Sequence, residues 1–125
     1  MSGGERASKQ RDIQERAFSF ACRIVRLYQF LAKQKGAAEI LGRQVLRSGT
    51  AIGANLEEAA AGQSKADFVS KCNIALKEAR ETNYWLRLLV DTEVIPASKL
   101  TNLVNESNEL VAILTTIVKK SRSAE

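Results

Sequence analysis

Apolar residues recur along almost the whole chain in alternating steps of three and four residues. Such steps place side chains on one face of an α-helix, and here they predict four helices, over residues 11–35, 38–61, 65–91 and 96–120. Short connections favour antiparallel neighbours, so we expect an all-α, up-down-up-down four-helix bundle that forms a single domain over residues 1–125. The core positions expected for the four helices in turn are Ile13, Ala17, Phe20, Ile24, Leu27 and Leu31; Leu41, Val45, Ser48, Ile52, Leu56 and Ala59; Phe68, Cys72, Ala75, Ala79, Asn83, Leu86 and Val90; and Leu100, Leu103, Val104, Leu110, Leu114 and Ile117.

Local signals agree with these helix ends. Gly62 closes the second helix. Ser64 is a suitable N-cap for the third, with Asp67 three residues later as in a capping box. Pro96 fits the first turn of the fourth helix. A single proline and seven glycines leave little of the turn-forming material that an all-β protein needs.

Three of the helices carry more apolar or mixed surface than one core stripe requires. On helix one, Phe18 and Val25 widen the apolar sector to about half of the circumference, against about 100° for an ordinary surface helix. A surplus of this kind, interleaved with polar groups, is typical of a polar seam inside the bundle or of a subunit interface. The other two mixed rows are Gln44, Arg47, Ala51, Asn55 and Glu58 on helix two, and Ile74, Glu78, Glu81, Trp85 and Leu88 on helix three.

The segment Arg47–Gly62 combines very small side chains with charged ones. Each glycine in a helix costs about 1 kcal/mol relative to alanine, so Gly49 and Gly53 need a packing reason, such as the close approach of another backbone. A guanidinium and a carboxylate can satisfy each other where neither could be buried alone. The candidate partners of Arg47 are Glu58, Glu78 and Glu81, and Asn55 can bridge between helices. The expected polar seam or interface comprises Arg47, Asn55, Glu58, Glu78, Glu81 and Trp85.

Positive charge is concentrated in the first part of the chain. The net charge is +5, and residues 1–47 hold ten Lys or Arg against four Asp or Glu. An excess on one helix can form a surface that attracts phosphate, although a modest excess can also serve only solubility. The expected nucleic-acid-binding residues lie on the arc of helix one that is opposite its core face, and they are Arg11, Arg16, Arg23, Arg26 and Lys33.

The chain contains no histidine, which excludes His-based acid–base catalysis and most common zinc sites. Phosphate-binding glycine loops are also missing, so we expect neither a cofactor nor a metal. The remaining enzymatic possibility is a metal or acid–base site built from the seam carboxylates. We expect a cytoplasmic location, because the polar N-terminus has no secretory signal and no run is long enough to span a membrane. In that reducing compartment, Cys22 and Cys72 are expected to be buried thiols.

Three runs of residues resemble one known family, namely RSGTAIGANLEEA (Arg47–Ala59), SKADF (Ser64–Phe68) and IALKEARET (Ile74–Thr82). They are similar to the four-helix bundle proteins encoded in intervening sequences of bacterial 23S rRNA genes. That family shows an Arg followed by a Ser-Ile/Val-x-x-Asn-hydrophobic-x-Glu-Gly pattern. Ala59 departs from it, since the family commonly has Gly there, and Thr50 or Ala51 stands where the family often has Ser or Val. The shared polar positions are Arg47, Asn55, Glu58 and Glu81.

The resemblance implies an antiparallel bundle that assembles into a ring-shaped homo-oligomer, typically a pentamer. It also implies a relation to the accessory proteins of diversity-generating retroelements, which are similar basic bundles that partner a reverse transcriptase and RNA. Together with the basic arc, it favours a non-enzymatic oligomer that binds nucleic acid, with structured RNA preferred over DNA. The alternative is a protein-binding scaffold or accessory subunit, for example for a reverse transcriptase, and a carboxylate-dependent enzyme is the third hypothesis.

Overall fold

A computed structural model describes the backbone of residues 3–123 and the side chains of residues 11–123. This part of the chain contains four α-helices and a short 3-10 turn at Ala97–Lys99, and no strand. The expected all-α architecture with four helices is therefore correct. The helices are α1 (Gly3–Gln34), α2 (Gly36–Ala60), α3 (Lys65–Asp91) and α4 (Thr101–Ser123).

Helix α3 has the bounds that the sequence indicates, and its N-cap explains why. The Ser64 hydroxyl accepts a hydrogen bond from the Asp67 backbone N–H at 3.1 Å, which satisfies a donor that the first turn leaves unpaired. Helix α1 begins before the expected residue 11, because the polar residues that precede Ile13 are good helix formers although they carry no apolar periodicity. Only Lys35 separates α1 from α2, and this reversal uses positive φ angles at Lys35 and Gly36.

The expectation that Pro96 opens the fourth helix is wrong. Pro96 instead precedes the 3-10 turn Ala97–Lys99, and α4 begins only at Thr101. The Leu100 backbone N–H bonds to Ala97 O at 2.9 Å, which closes this turn before the α-helix starts. A proline fixes its own φ angle, but it does not decide whether the next turn is of the α or the 3-10 type.

Two ion pairs show that α2 and α3 are antiparallel. Arg47, near the middle of α2, pairs with Glu81 in the second half of α3, whereas Glu58, near the end of α2, pairs with Lys71 in the first half of α3.

Polar side chains link α3 to both of its neighbours. The buried Thr82 hydroxyl of α3 donates to the Ser48 hydroxyl of α2 at 2.8 Å, and Asn83 Nδ2 donates to Ser107 Oγ of α4 at the same distance. Thr82 and Ser107 were not expected in the core, yet both are fully buried because neighbouring polar atoms satisfy their hydroxyls.

Most of the expected core positions are buried, and the exceptions lie at its edge. The half-buried exceptions are Leu41, Phe68, Asn83, Val90, Val104 and Ile117. Further buried positions that the sequence pattern did not select include Ala38, Val69, Leu76, Leu89, Ile95 and Val118. A helix inside a bundle buries a broader sector than a single row of side chains, which accounts for both differences.

Three glycines of α2, namely Gly42, Gly49 and Gly53, face α1 of the same chain. A Cβ added to Gly49 would lie 2.9 Å from both Cγ atoms of Ile24, and one added to Gly42 would lie 3.0 Å from Leu31 Cβ. At Gly53 the added Cβ would be at an ordinary 3.6 Å from Ala17. The close approach expected from the small residues is therefore explained, at Gly42 and Gly49, by the packing of α1 on α2.

Candidate nucleic-acid and assembly surfaces

Arg47 of α2 is held by two carboxylates of α3. Its Nη1 donates to Glu78 Oε2 at 3.0 Å, and its Nη2 donates to Glu81 Oε2. The Trp85 indole N–H donates to the same Glu81 oxygen at 3.0 Å. We call these four residues the Arg47 cluster. The Arg47 side chain keeps 52% of its surface exposed, so in a single chain the cluster lies on the outer side of the α2–α3 pair rather than in the core.

Within the Arg47 cluster, hydrogen bonds stabilise the charged forms of Glu81 and Arg47. The Trp85 indole N–H, followed by Arg47, holds the pKa of Glu81 below its ordinary value, against the opposing effect of burial. Hydrogen bonds from Arg47 to Glu81 and Glu78 raise the pKa of its guanidinium further above its ordinary value. A carboxylate held in this way is a poor proton donor or acceptor near neutral pH, which favours a structural role.

Two residues of the expected seam do not join Arg47. Glu58 lies eleven residues along the same helix, about 16 Å away at the α-helical rise, which no direct ion pair can span. It pairs instead with Lys71 of α3 at 3.0 Å, and its side chain is 63% exposed. Asn55 Nδ2 donates to the Ala51 carbonyl of its own helix at 2.8 Å and does not bridge to another. Glu58 is therefore excluded as a partner of Arg47 within the chain.

The expected basic arc of α1 is only partly available. Arg16 makes two hydrogen bonds to Glu106 of α4, at 2.7 and 3.1 Å, and lies 3.4 Å from Glu109. The hydrogen bond to Glu106 raises the pKa of Arg16, as expected for a guanidinium that ties two helices together. Arg16 is therefore engaged by α4 and is not an open cation of the candidate nucleic-acid surface. The exposed or half-exposed members that remain are Arg11, Arg23, Arg26 and Lys33.

A second row of cations lies on the outer side of α3, and the sequence analysis missed it. Lys77, Arg80, Tyr84 and Arg87 follow one another in steps of three, four and three residues, and all four are exposed. We call this row the α3 stripe. The net negative charge of the middle of the chain conceals it, although two of the acidic residues there, Glu78 and Glu81, are paired with Arg47. The three-and-four spacing of the cations was the signal that could have revealed it.

Helix α4 supports one end of the α3 stripe. Arg87 Nε donates to Asn83 Oδ1 at 2.9 Å, and Asn83 Nδ2 donates to Ser107 Oγ and to Asn108 Oδ1, each at 2.8 Å. Asn83, which was expected in the core, thus lies at the boundary between α3 and α4 and orients Arg87. Neither the Lys77 nor the Arg80 side chain forms an ion pair within residues 11–123.

Other features of the described residues add no further chemistry. Within residues 11–123, no group of three or more Cys, Asp or Glu is arranged to hold a metal ion. An open groove of about 500 Å³ lies between the start of α1 and the end of α2, lined by residues that include Phe18 and Glu57. Across residues 3–123, none of the helices is long and apolar enough to cross a bilayer.

This chain is similar in sequence and in structure to known proteins. The sequence profile of the family described as 23S rRNA-intervening sequence protein matches residues 9–116. A crystal structure from Bacteroides thetaiotaomicron, of a protein with unknown function from the S23 ribosomal protein family, is similar to this chain at 45% identity and a TM-score of 0.81. The match covers 89% of this chain and 98% of that one. Among curated proteins, none matches.

Proposed function

We propose that this chain, which belongs to the 23S rRNA-intervening sequence protein family, is a non-enzymatic bundle that assembles into a ring-shaped homo-oligomer and binds structured RNA through basic surfaces. A pentamer is the favoured assembly. The proposal rests on one observation, namely surface cations that form no ion pair with any of residues 11–123. On α1 these cations are Arg23, Arg26 and Lys33.

The contrast between paired and unpaired surface cations supports RNA binding. Arg16 and Arg47 are neutralised by α4 and α3 respectively, whereas the unpaired cations remain open to phosphate. A net charge of +5 on one chain is modest, but copies arranged around a ring add their fields. Contacts to phosphate release counterions from the nucleic acid, so affinity depends strongly on salt and little on sequence.

Exposed apolar residues beside the Arg47 cluster support assembly. Ile40 is 61% exposed and lies seven residues before Arg47, on the same face of α2. Ile74 is also exposed and lies four residues before Glu78 on α3. Apolar side chains around polar groups that already satisfy one another form a surface that a second copy can cover at little desolvation cost.

Filter binding tests the RNA-binding proposal. We expect the purified protein to retain a structured RNA on the filter at low salt. The logarithm of the association constant should fall linearly with the logarithm of the salt concentration, with a slope of about −0.7 to −0.9 for each phosphate contact. The same RNA mixed with a protein of near-zero net charge provides the control. Absence of retention, or retention that does not change with salt, would contradict RNA binding.

The second candidate function is a scaffold or accessory subunit in the cytoplasm, for instance for a retroelement reverse transcriptase. Phe18 favours it, because this large side chain is exposed on α1 away from the Arg47 cluster and is available to a partner protein. Co-expression with a candidate reverse transcriptase, followed by purification of the bundle, tests this alternative. Recovery of the bundle alone would argue against it.

A further inference from the structure

The α3 stripe has the composition of a single-stranded RNA site. It combines three exposed cations with an aromatic ring, and the eleven residues from Lys77 to Arg87 extend it over about 15 Å of α-helix. Proteins that bind single strands pair a positive groove along the backbone with aromatic rings on which bases stack. Resting on the proposed RNA-binding function, we infer that the α3 stripe contacts an unpaired RNA segment, with Lys77, Arg80 and Arg87 at phosphates and Tyr84 under a base.

The surroundings of the stripe favour a polyanion. Arg80 has no acidic residue three or four positions away on its own helix. Glu81 lies four residues after Lys77 and Asp91 four residues after Arg87, but Glu81 is held by Arg47 and neither carboxylate forms an ion pair with the stripe. On the facing helix α4, the only charged residue between Ser107 and Val118 is Glu109, whose carboxylate lies 3.4 Å from Arg16 of α1. The cations of the stripe therefore form no ion pair within residues 11–123, on their own helix or with α4.

Tyr84 is held in a position suitable for stacking. Its side chain is 51% exposed, and its ring meets the Trp85 ring edge to face at a centroid distance of 5.0 Å and an angle of 74°. Trp85 is itself fixed by its hydrogen bond to Glu81. A ring that is already ordered loses little conformational entropy when a base stacks on it. An acidic protein partner would use the cations but has no equivalent need for this ring.

Two triple variants with equal charge separate the stripe from the general positive field. The α3 variant is Lys77→Gln, Arg80→Gln, Arg87→Gln, and the matched α1 variant is Arg23→Gln, Arg26→Gln, Lys33→Gln. Each removes three cations, so long-range attraction falls equally in both. With a uridine oligonucleotide as the probe, we expect the α3 variant to bind at least about tenfold more weakly than the α1 variant, because it loses direct phosphate contacts.

Tyr84 is tested by a second pair, Tyr84→Ala and Tyr84→Phe. Loss of base stacking should weaken binding of the uridine oligonucleotide roughly 5- to 100-fold in the alanine variant, while the phenylalanine variant binds as the wild type does. Binding of a fully paired RNA duplex should be the same in both, since its bases are not available for stacking. Thermal unfolding of every variant checks that the bundle remains intact.

The outcomes distinguish this inference from the proposed function. A wild-type protein that retains no RNA would overturn both. Wild-type binding with equal losses in the two triple variants, or a larger loss in the α1 variant, would overturn the α3 stripe and leave RNA binding intact. Equal effects of Tyr84→Ala on the single strand and on the duplex would overturn the stacking role.

Discussion

Gly49→Ala destabilises the bundle by about 1–3 kcal/mol, the typical cost of forcing extra atoms into a packed core. The added Cβ would lie 2.9 Å from Ile24 Cγ1 and Cγ2, well inside van der Waals contact. These two atoms are attached directly to the Cβ of a β-branched residue, whose χ1 angle is nearly fixed in a helix. Ile24 therefore cannot swing aside, and α1 and α2 have to separate.

Gly53→Ala provides the matched control for this substitution. Its added Cβ would lie 3.6 Å from the nearest atoms of Ala17, an ordinary contact. Alanine is better than glycine in a helix by up to about 1 kcal/mol, so this variant should be as stable as the wild type or more stable. Urea unfolding followed by circular dichroism, at one protein concentration, measures both. Equal stability of the two variants would contradict the tight α1–α2 contact at Gly49.

Iodoacetamide modifies Cys22 and leaves Cys72 protected in the folded protein. Cys22 is half-buried on α1, contrary to the expectation of two buried thiols, whereas Cys72 is 1% exposed. Burial raises the pKa of the Cys72 thiol from 9.0 to about 11. Near pH 8 this alone lowers the reactive thiolate fraction roughly 100-fold, before access is considered.

Mass spectrometry of peptides after timed labelling measures the two rates. Labelling in urea is the control, because unfolding should make the two thiols react alike. Equal rates in the folded protein would contradict a closed core at Cys72.

The free energy of unfolding should also depend on the Cys72 thiol at high pH. The raised pKa of Cys72 stabilises the fold below about pH 9, and this contribution, about 2–3 kcal/mol, is lost as the pH rises towards 11. Cys72→Ala should reduce that loss, and Cys22→Ala should not.

The sequence predicts most of the fold because helical periodicity and helix caps are local. Ser64 shows this at α3, where one side chain and one backbone N–H determine the start of the helix. Pro96 shows the limit, since its own restricted φ angle is compatible with either an α-helix or a 3-10 turn. The ψ angle of Pro96 is 135°, which places it before the turn rather than inside a helix, and the proline ring does not fix that angle.

The candidate surfaces could be predicted less well, because they depend on which helices face each other. Arg47 was expected to pair with one of three carboxylates, and the antiparallel arrangement of α2 and α3 selects Glu78 and Glu81. Arg16 belongs to a basic arc by sequence, yet α4 brings Glu106 against it. Summed charge was also misleading, because the acidic residues in the same part of the sequence offset the cations of the α3 stripe.

The proposed assembly would sum a charge of +5 per chain into a strong field, so solution mass is the most direct test of the proposed function. Sedimentation equilibrium of the purified protein measures it without reference to shape. We expect one species at a whole-number multiple of the 13.7 kDa chain, with five copies favoured. A species of 13.7 kDa at every concentration would contradict the assembly of this bundle through the surface around Arg47.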